Sequence, residues 1–292
     1  MVNYVQWKEL KLELKYGDHL ILSNIGIESI QEIKGLSECH PVSVLHLHDN
    51  NISKIEGLRS LLDLKDLTLD HNEIIKIENL DALTKLEHLR LDHNRIEAIE
   101  GLETLTKLRE LRLDDNQITV IEGLDALQEL EQLRLGENKI RTIQGLDALT
   151  KLTDLSLNHN LIPKIQGLET LVRLETLFLE TNQIRVIEGV EKLKKLRALS
   201  LTNNQIETIR GLSSLHELKS LYLNHNPITK IEGLQDLRRL KYLYLSYDHI
   251  TQIEGLDGLT NLTHLYLTKN RITQMGGLSA LENLEHLYLG EN

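Results

Sequence analysis

The 292-residue sequence has few cysteines, few aromatic residues and fewer basic than acidic residues. Cys39 is the only cysteine, so no intrachain disulfide can form. Aromatic residues make up only 3% of the chain, and aliphatic residues therefore dominate any core. The net charge is −11, which argues against non-specific binding to nucleic acid or to an anionic membrane, since both require a basic surface.

Targeting segments and catalytic motifs are also missing. Residues 1–18 lack the apolar stretch of a signal peptide, and no apolar run approaches the length that spans a membrane. We therefore expect a cytoplasmic protein without membrane contact. The sequence contains no nucleophile elbow, phosphate-binding loop or zinc-ligand spacing, so it predicts neither an enzyme nor a cofactor.

One unit is repeated along almost the whole chain. Residues 86–107 read LEHLRLDHNRIEAIEGLETLTK and residues 108–129 read LRELRLDDNQITVIEGLDALQE, with every apolar position in register. The same 22-residue frame gives eleven complete copies over residues 42–283, without insertion or deletion. Because each copy buries its apolar face against its neighbours, a chain of this length need not form two globular domains.

Each repeat begins with a predicted strand, and an asparagine recurs where the chain leaves that strand. The segment L-x-x-L-x-L predicts a short parallel strand whose fourth and sixth residues, such as Leu89 and Leu91, point into the core. The third, fifth and seventh residues then point outward. The ninth residue is asparagine in every complete copy but one, and a buried amide can satisfy backbone groups there. Asp248 is the exception, and we expect a weak point or a special contact at this position.

The second half of each repeat predicts turns. The sixteenth residue is glycine in every complete copy except the one that has Asn79, which indicates a positive φ. The residues that follow it are long enough only for a short helical or 3-10 turn. The predicted fold is therefore α/β: a curved, horseshoe-like solenoid with a parallel sheet on its concave face and these turns on its convex face.

The N-terminal residues do not fit the repeat. Leucines that alternate with charged residues predict a short strand of a cap: Leu10, Leu12 and Leu14. Trp7 is expected to cover the first repeat. Residues 20–41 predict a degenerate repeat with Glu28 at the asparagine position, so residues 1–41 form the predicted cap and first repeat.

The array stops inside a repeat, at residues 284–292. Leu284, Leu287 and Leu289 would then lack a following repeat or a C-terminal cap. An open solenoid end is an aggregation hazard. Two alternatives follow: either the natural chain continues past Asn292, or two ends pack together in end-to-end self-association.

The fifth position of each repeat carries the most informative outward side chains. An arginine row is followed along the chain by an aromatic row: Arg90, Arg112 and Arg134, then Phe178, Tyr222, Tyr244, Tyr266 and Tyr288. Tyr242 and Tyr247 occupy nearby outward positions. Rungs about 4.8 Å apart would align these side chains as ladders. Tyrosine and arginine often carry interface energy, so both ladders are predicted to bind a partner protein.

Other interpretations of these side chains stay open. Stacked tyrosines can simply stabilise a sheet. Acidic neighbours of the arginines can form an intramolecular salt-bridge lattice instead of a ligand site. His264 and His286 occupy the third position of adjacent copies, but two ligands on an open sheet are a weak metal signal. We therefore predict no metal site.

The repeat resembles the 22-residue class of leucine-rich repeats, whose pattern L-x-x-L-x-L-x-x-N-x-I-x-x-I-x-G-L runs from Val42 to Leu289. It is most similar to the regulatory-subunit family of protein phosphatase type 1, and bacterial internalins share its length. The resemblance implies a curved scaffold whose concave face grips a partner protein. In the phosphatase regulators acidic and aromatic residues make this contact, a role that Phe178 and the tyrosines would suit.

Two functions are therefore predicted. The first is a non-catalytic, cytoplasmic scaffold or regulatory subunit that binds a protein through the tyrosine and arginine ladders. The alternative is the recognition domain of a longer enzyme, such as a Roco-type GTPase, whose catalytic part would lie beyond residue 292.

Overall fold

The computed structural model describes residues 4–39 and 41–292. These residues divide into two compact units, the first ending at Lys139 and the second beginning at Ile140. The predicted cap and first repeat include residues 1–3 and 40, which lie outside the described part of the chain. Within the described part, no helix is long and apolar enough to cross a bilayer.

The first unit contains one hairpin and six parallel strands. Strands β1 (Tyr4–Trp7) and β2 (Leu10–Glu13) pair antiparallel. The parallel strands, each hydrogen-bonded to the next, have three residues each: β3 (His19–Ile21), β4 (Val44–His46), β5 (Asp66–Thr68), β6 (His88–Arg90), β7 (Glu110–Arg112) and β8 (Gln132–Arg134).

The second unit contains seven parallel strands, also of three residues and each paired with the next: β9 (Asp154–Ser156), β10 (Thr176–Phe178), β11 (Ala198–Ser200), β12 (Ser220–Tyr222), β13 (Tyr242–Tyr244), β14 (His264–Tyr266) and β15 (His286–Tyr288). The repeat solenoid predicted from the sequence is confirmed. Along each ladder the central leucines pair with one another, as Leu243 does with Leu265. Both of these leucines are fully buried.

The opposite side of each repeat is made of single turns. Between Leu80 and Leu86, for example, the turn is closed by hydrogen bonds from Leu83 N–H to Leu80 O (2.9 Å) and from Leu86 N–H to Leu83 O (3.0 Å). These are 3-10-type bonds. Among residues 4–39 and 41–292 only Ile30–Glu32 is assigned as a 3-10 helix. The predicted helical component is thus almost absent, because so short a segment cannot offset the cost of helix nucleation.

The asparagine at the ninth position connects each repeat to the one before it. Asn94 donates from Nδ2 to the carbonyl oxygens of Leu69 (3.0 Å) and Leu91 (3.1 Å). Its Oδ1 accepts a 2.9 Å hydrogen bond from Ile74 N–H. The predicted role of the amide is therefore confirmed: it satisfies backbone groups where the chain leaves the strand.

Asp248 makes a different contact, as the sequence predicts. Its Oδ1 accepts a 2.6 Å hydrogen bond from the backbone N–H of Asn226. Its Oδ2 is buried and has no hydrogen-bond partner within the described chain. Burial raises the pKa of this carboxyl to about 8, because a desolvated carboxylate is costly. Asp248 is only 3% exposed, so solvent cannot relieve that cost.

Two positions in each repeat adopt the left-handed backbone region, although only one was predicted. At the sixteenth position Gly123 has φ of 69° and Asn79 has φ of 59°. A Cβ at Gly123 would also lie 2.5 Å from Ile99 O, so close packing adds a second requirement for glycine. The eighth position was not predicted to have positive φ, yet it does in all twelve copies: Asp49, His71, His93, Asp115, Glu137, His159, Thr181, Asn203, His225, Tyr247, Lys269 and Glu291.

The frame predicted for the first repeat is wrong by three residues. Leu20 in β3 pairs with Leu45, a spacing of 25 rather than 22 residues. On that spacing Ile25, not Glu28, corresponds to Asn50. The cap also differs in detail: Trp7 is buried as predicted, but it belongs to β1, a strand that the leucine alternation did not predict. The three extra residues lengthen this first repeat. It can differ from the 22-residue period because no earlier repeat packs against it.

The last rungs are less covered than the others. Leu284, Leu287 and Leu289 are partly exposed, whereas the corresponding residues one repeat earlier are fully buried: Leu262, Leu265 and Leu267. Asn292 still makes the asparagine contacts, with Oδ1 accepting from Ile272 N–H at 3.1 Å. Self-association and continuation of the chain both stay predictions.

Candidate functional site

The second unit carries a continuous stack of tyrosine rings on its sheet face, the surface formed by the outward side chains of the strands. The centroids of Tyr222 and Tyr244 are 4.6 Å apart, those of Tyr244 and Tyr266 4.3 Å, and those of Tyr266 and Tyr288 4.5 Å. The ring planes differ by 16°, 8° and 5°, respectively. The predicted tyrosine ladder is therefore present as a face-to-face stack.

Two further aromatic rows lie on the same strands and their exits. At the third position Tyr242 contacts His264 (4.8 Å between centroids), which contacts His286 (4.4 Å). At the eighth position the rings of His225 and Tyr247 stack at 4.2 Å. We call these three rows together the aromatic surface: Tyr222, His225, Tyr242, Tyr244, Tyr247, His264, Tyr266, His286 and Tyr288.

The stack raises the pKa of the Tyr244 phenol to about 12. Desolvation is the first cause, and a hydrogen bond with Tyr266 is the second. The hydroxyl is therefore a neutral donor over the whole physiological pH range. Lys269 adds a cation 4.9 Å from the Tyr247 ring centroid and an ion pair with Glu291 at 3.4 Å.

Phe178 does not join this surface. It lies in β10, and its neighbours at the fifth position are Ser156 and Ser200. Ser200 separates it from Tyr222 by one rung. The sequence pattern placed Phe178 at the same repeat position as the tyrosines, but its ring is not part of their stack.

In the first unit the arginine row is largely neutralised by carboxylates. Arg90 donates from Nε and Nη2 to Glu110 at 3.4 Å each, and His88 Nδ1 lies 3.2 Å from the same carboxylate. Arg112 Nε lies 3.2 Å from Asp92 Oδ2. The geometry favours the salt-bridge lattice over a free anion site. Arg134 is exposed and has no ion pair among residues 4–39 and 41–292.

The lattice itself lines a depression of about 340 Å³, through Arg90, Arg112 and Asp92. Histidines of three rungs, together with Asp70 and Asp114, complete the lining. Asp92 Oδ1 accepts from Asp114 N–H at 3.0 Å, and Asp114 Oδ1 accepts from Gly136 N–H at 2.6 Å. Burial, followed by repulsion from Asp92, raises the pKa of Asp114 to about 6. These buried carboxylates hold backbone amides, a role that the sequence analysis did not assign to the seventh position.

Sequence reasoning named Tyr247 as a site residue but missed its stacking on His225 at the eighth position. His225 and Tyr247 stack because the eighth position has positive φ, which aligns its side chains from rung to rung. The signal was the frequency of aspartate, asparagine and histidine at this position, since these residue types tolerate the left-handed region best.

Family models match the chain over most of its length. A model of leucine-rich repeats, two copies, matches residues 84–126, 106–148, 216–258 and 260–292, and a second leucine-rich-repeat model matches residues 134–230. The chain is a leucine-rich-repeat protein. Proteins of this class are generally non-catalytic scaffolds that bind other proteins, and neither model indicates a catalytic family. No curated protein sequence matches the chain significantly.

Solved structures with the same fold include two internalins of Listeria monocytogenes. Internalin InlF is 28% identical, with 81% of this chain and 83% of the internalin covered and a TM-score of 0.63. Internalin C2 is 30% identical, with 64% and 84% covered and a TM-score of 0.59. The leucine-rich-repeat domain of APL1B, at 24% identity, covers 94% of this chain and 83% of its own, with a TM-score of 0.80, and shows the fold alone.

These comparisons support the resemblance to internalin-type repeats. They do not confirm the closer resemblance to the regulatory subunits of protein phosphatase type 1.

Proposed function

We propose that the protein is a non-catalytic, cytoplasmic scaffold that binds a partner protein through the aromatic surface of its second unit. The observation that carries the proposal is the uninterrupted stack of Tyr222, Tyr244, Tyr266 and Tyr288, flanked by two shorter aromatic rows. Tyrosine offers a large, rigid contact area and a hydroxyl donor, a combination that is enriched at binding sites.

The fold does not require these rings. Leu243 and Leu265 are fully buried, but so are the equivalent Leu89 and Leu111, whose rungs carry no tyrosine. In the first unit the same parallel strands form with Thr68, Arg90 and Arg112 at the equivalent position. A stack that is absent from rungs of identical backbone geometry is better explained by binding than by folding.

The arginine row contributes a second, more specific contact in this proposal. Arg90 and Arg112 are held by carboxylates, so they offer fixed donors with little remaining net charge. Arg134 is exposed at the end of the row, and its guanidinium forms no ion pair with the residues that the structure describes. A site of this kind contributes more to the specificity of binding than to the electrostatic attraction of the partner.

We expect the replacement of Tyr222, Tyr244 and Tyr266 by alanine to abolish capture of the partner from a lysate of the source cells. Truncation of clustered interface tyrosines costs about 2 kcal/mol or more, or roughly thirtyfold in affinity. A second variant replaces Arg90, Arg112 and Arg134 by alanine at the same position in three consecutive rungs of the first unit, and it should weaken capture less than the tyrosine variant does. Proteins captured by each variant are identified by mass spectrometry.

The comparison between the variants decides the site. Loss of capture in the tyrosine variant, with a smaller loss in the arginine variant, supports the proposal. Loss only in the arginine variant places the main contact in the first unit and contradicts it. If both variants capture what the parent captures, the partner does not bind either row. Circular dichroism of each variant must match the parent, so that loss of capture is not loss of fold.

The same assay addresses the finer predictions. The catalytic subunit of protein phosphatase type 1 is the first purified protein to test, because the sequence resemblance names it. The Roco-type alternative places the chain in a longer enzyme, and the mass of the endogenous protein in cells distinguishes the two.

A further inference from the structure

Most of the aromatic surface lies on rungs whose outward positions carry no carboxylate. Three consecutive repeats, which begin at Leu218, Leu240 and Leu262, have no aspartate or glutamate at their second, third, fifth, seventh or eighth positions. Three consecutive repeats of the first unit, which begin at Leu64, Leu86 and Leu108, have these seven: Asp66, Asp70, Glu87, Asp92, Glu110, Asp114 and Asp115. In a chain of net charge −11 this local absence is a specific feature.

At the same outward positions, these three repeats carry three lysines. Lys219 and Lys241 are exposed directly before β12 and β13, and neither forms an ion pair with any residue in the described ranges. Lys269 is paired with Glu291 at 3.4 Å. Elsewhere at the second position basic residues are paired along the array, as Arg197 is with Glu175 at 2.7 Å. Two unpaired cations therefore border the tyrosine stack.

The geometry of the stack also selects the chemistry of its partner. Tyr244 and Tyr266 each have a ring on both sides at 4.3 to 4.6 Å, so both faces of each ring are covered. What remains for a partner is the ring edge and the hydroxyl. The edge of an aromatic ring is the positive part of its quadrupole. The hydrogen bond between Tyr244 and Tyr266 occupies one hydroxyl proton and leaves the other hydroxyls of the row as donors. Both favour an anionic acceptor over a cation, which would need an open ring face.

We infer that the partner contacts the aromatic surface through an acidic segment, whose carboxylates accept hydrogen bonds from the tyrosine hydroxyls and lie near Lys219 and Lys241. This inference rests on the proposed function and adds the chemical class of the partner. An acidic protein segment fits better than nucleic acid, because the two lysines that border the tyrosine stack suffice for a few carboxylates but not for the phosphate backbone of a polynucleotide.

The test measures binding of the full chain to immobilised poly-L-glutamate by surface plasmon resonance, with poly-U RNA on a parallel surface. The parent should bind poly-L-glutamate and weaken as ionic strength rises from about 0.01 M to about 0.15 M, where the Debye length falls from about 30 Å to about 8 Å. The variant Lys219→Glu with Lys241→Glu should bind at least about tenfold more weakly.

A matched control carries the same change of net charge elsewhere. Lys192→Glu with Lys195→Glu alters two exposed lysines on the turn side of the second unit and should leave binding unchanged. Equal weakening in both variants would mean a general charge effect and would overturn the inference. No binding of the parent to poly-L-glutamate, or tighter binding to poly-U, would overturn it as well.

The inference and the proposed function fail in different ways. If the captured partner is lost from the triple tyrosine variant but retained by Lys219→Glu with Lys241→Glu, the scaffold proposal stands and the acidic segment is wrong. If the lysine variant loses poly-L-glutamate while the tyrosine variant still captures every protein, the proposed binding site is wrong.

Discussion

Replacing Asp248 by asparagine is expected to stabilise the protein, and by much more at high pH than at low pH. Every other complete repeat has an amide here that both donates and accepts, as Asn94 does between Leu69 O, Leu91 O and Ile74 N–H. Asp248 only accepts, through Oδ1, and leaves Oδ2 buried without a partner in the described chain. The asparagine restores the donor, which contributes about 1 to 3 kcal/mol at a buried site.

The pH dependence follows from the raised pKa of Asp248. The pKa is about 8 in the folded chain and about 3.9 in the unfolded chain, so the folded state holds the proton more tightly. Its stabilising contribution is complete below about pH 4 and is lost as the pH rises through 8. At 1.36 kcal/mol for each unit of pKa difference, the loss approaches about 6 kcal/mol. The asparagine variant lacks this loss.

Urea unfolding at pH 5 and pH 9, followed by circular dichroism, measures the effect. The difference in free energy of unfolding between Asp248→Asn and the parent should grow with pH, and the difference isolates this carboxyl from others that titrate, such as Asp114. Asn204→Asp is the matched control, because it puts the same defect into an intact rung of the second unit. It should be destabilising, and increasingly so at pH 9. A pH-independent difference for Asp248→Asn would contradict the argument.

The architecture was predictable because the period fixes almost every choice. Once the 22-residue frame is known, strand alternation places Leu243 inside and Tyr244 outside, and the structure agrees. The exit asparagines and the sixteenth-position glycines follow from backbone requirements that recur in each copy. Prediction failed where the period fails, in the first repeat, whose 25-residue spacing has no other copy to reveal it.

The candidate site was predictable as a column but not as an arrangement of side chains. Alternation places Arg90 and Tyr222 at equivalent outward positions, but it cannot say that the arginine bonds to Glu110 while the tyrosine stacks on its neighbour. These outcomes depend on side-chain rotamers and on the residues that stand two repeat positions away on the neighbouring rung. The role of Asp114 as an acceptor for Gly136 N–H likewise depends on the local direction of the backbone.

Leu111→Ala should lower the free energy of unfolding by about 2 to 5 kcal/mol, because it leaves a cavity in a fully packed core. Leu111 is the central residue of β7, is fully buried and pairs with Leu89 and Leu133 on either side. In an array that is stabilised only by contacts between neighbours, a cavity weakens two interfaces at once. Urea unfolding should show a lower midpoint. Thr119→Ala, an exposed change in the same repeat, should shift the free energy by no more than about 0.5 kcal/mol. Equal effects of the two changes would mean that Leu111 is not a core residue. The assignment of inward and outward positions on every strand, including that of the tyrosine ladder, would then be wrong.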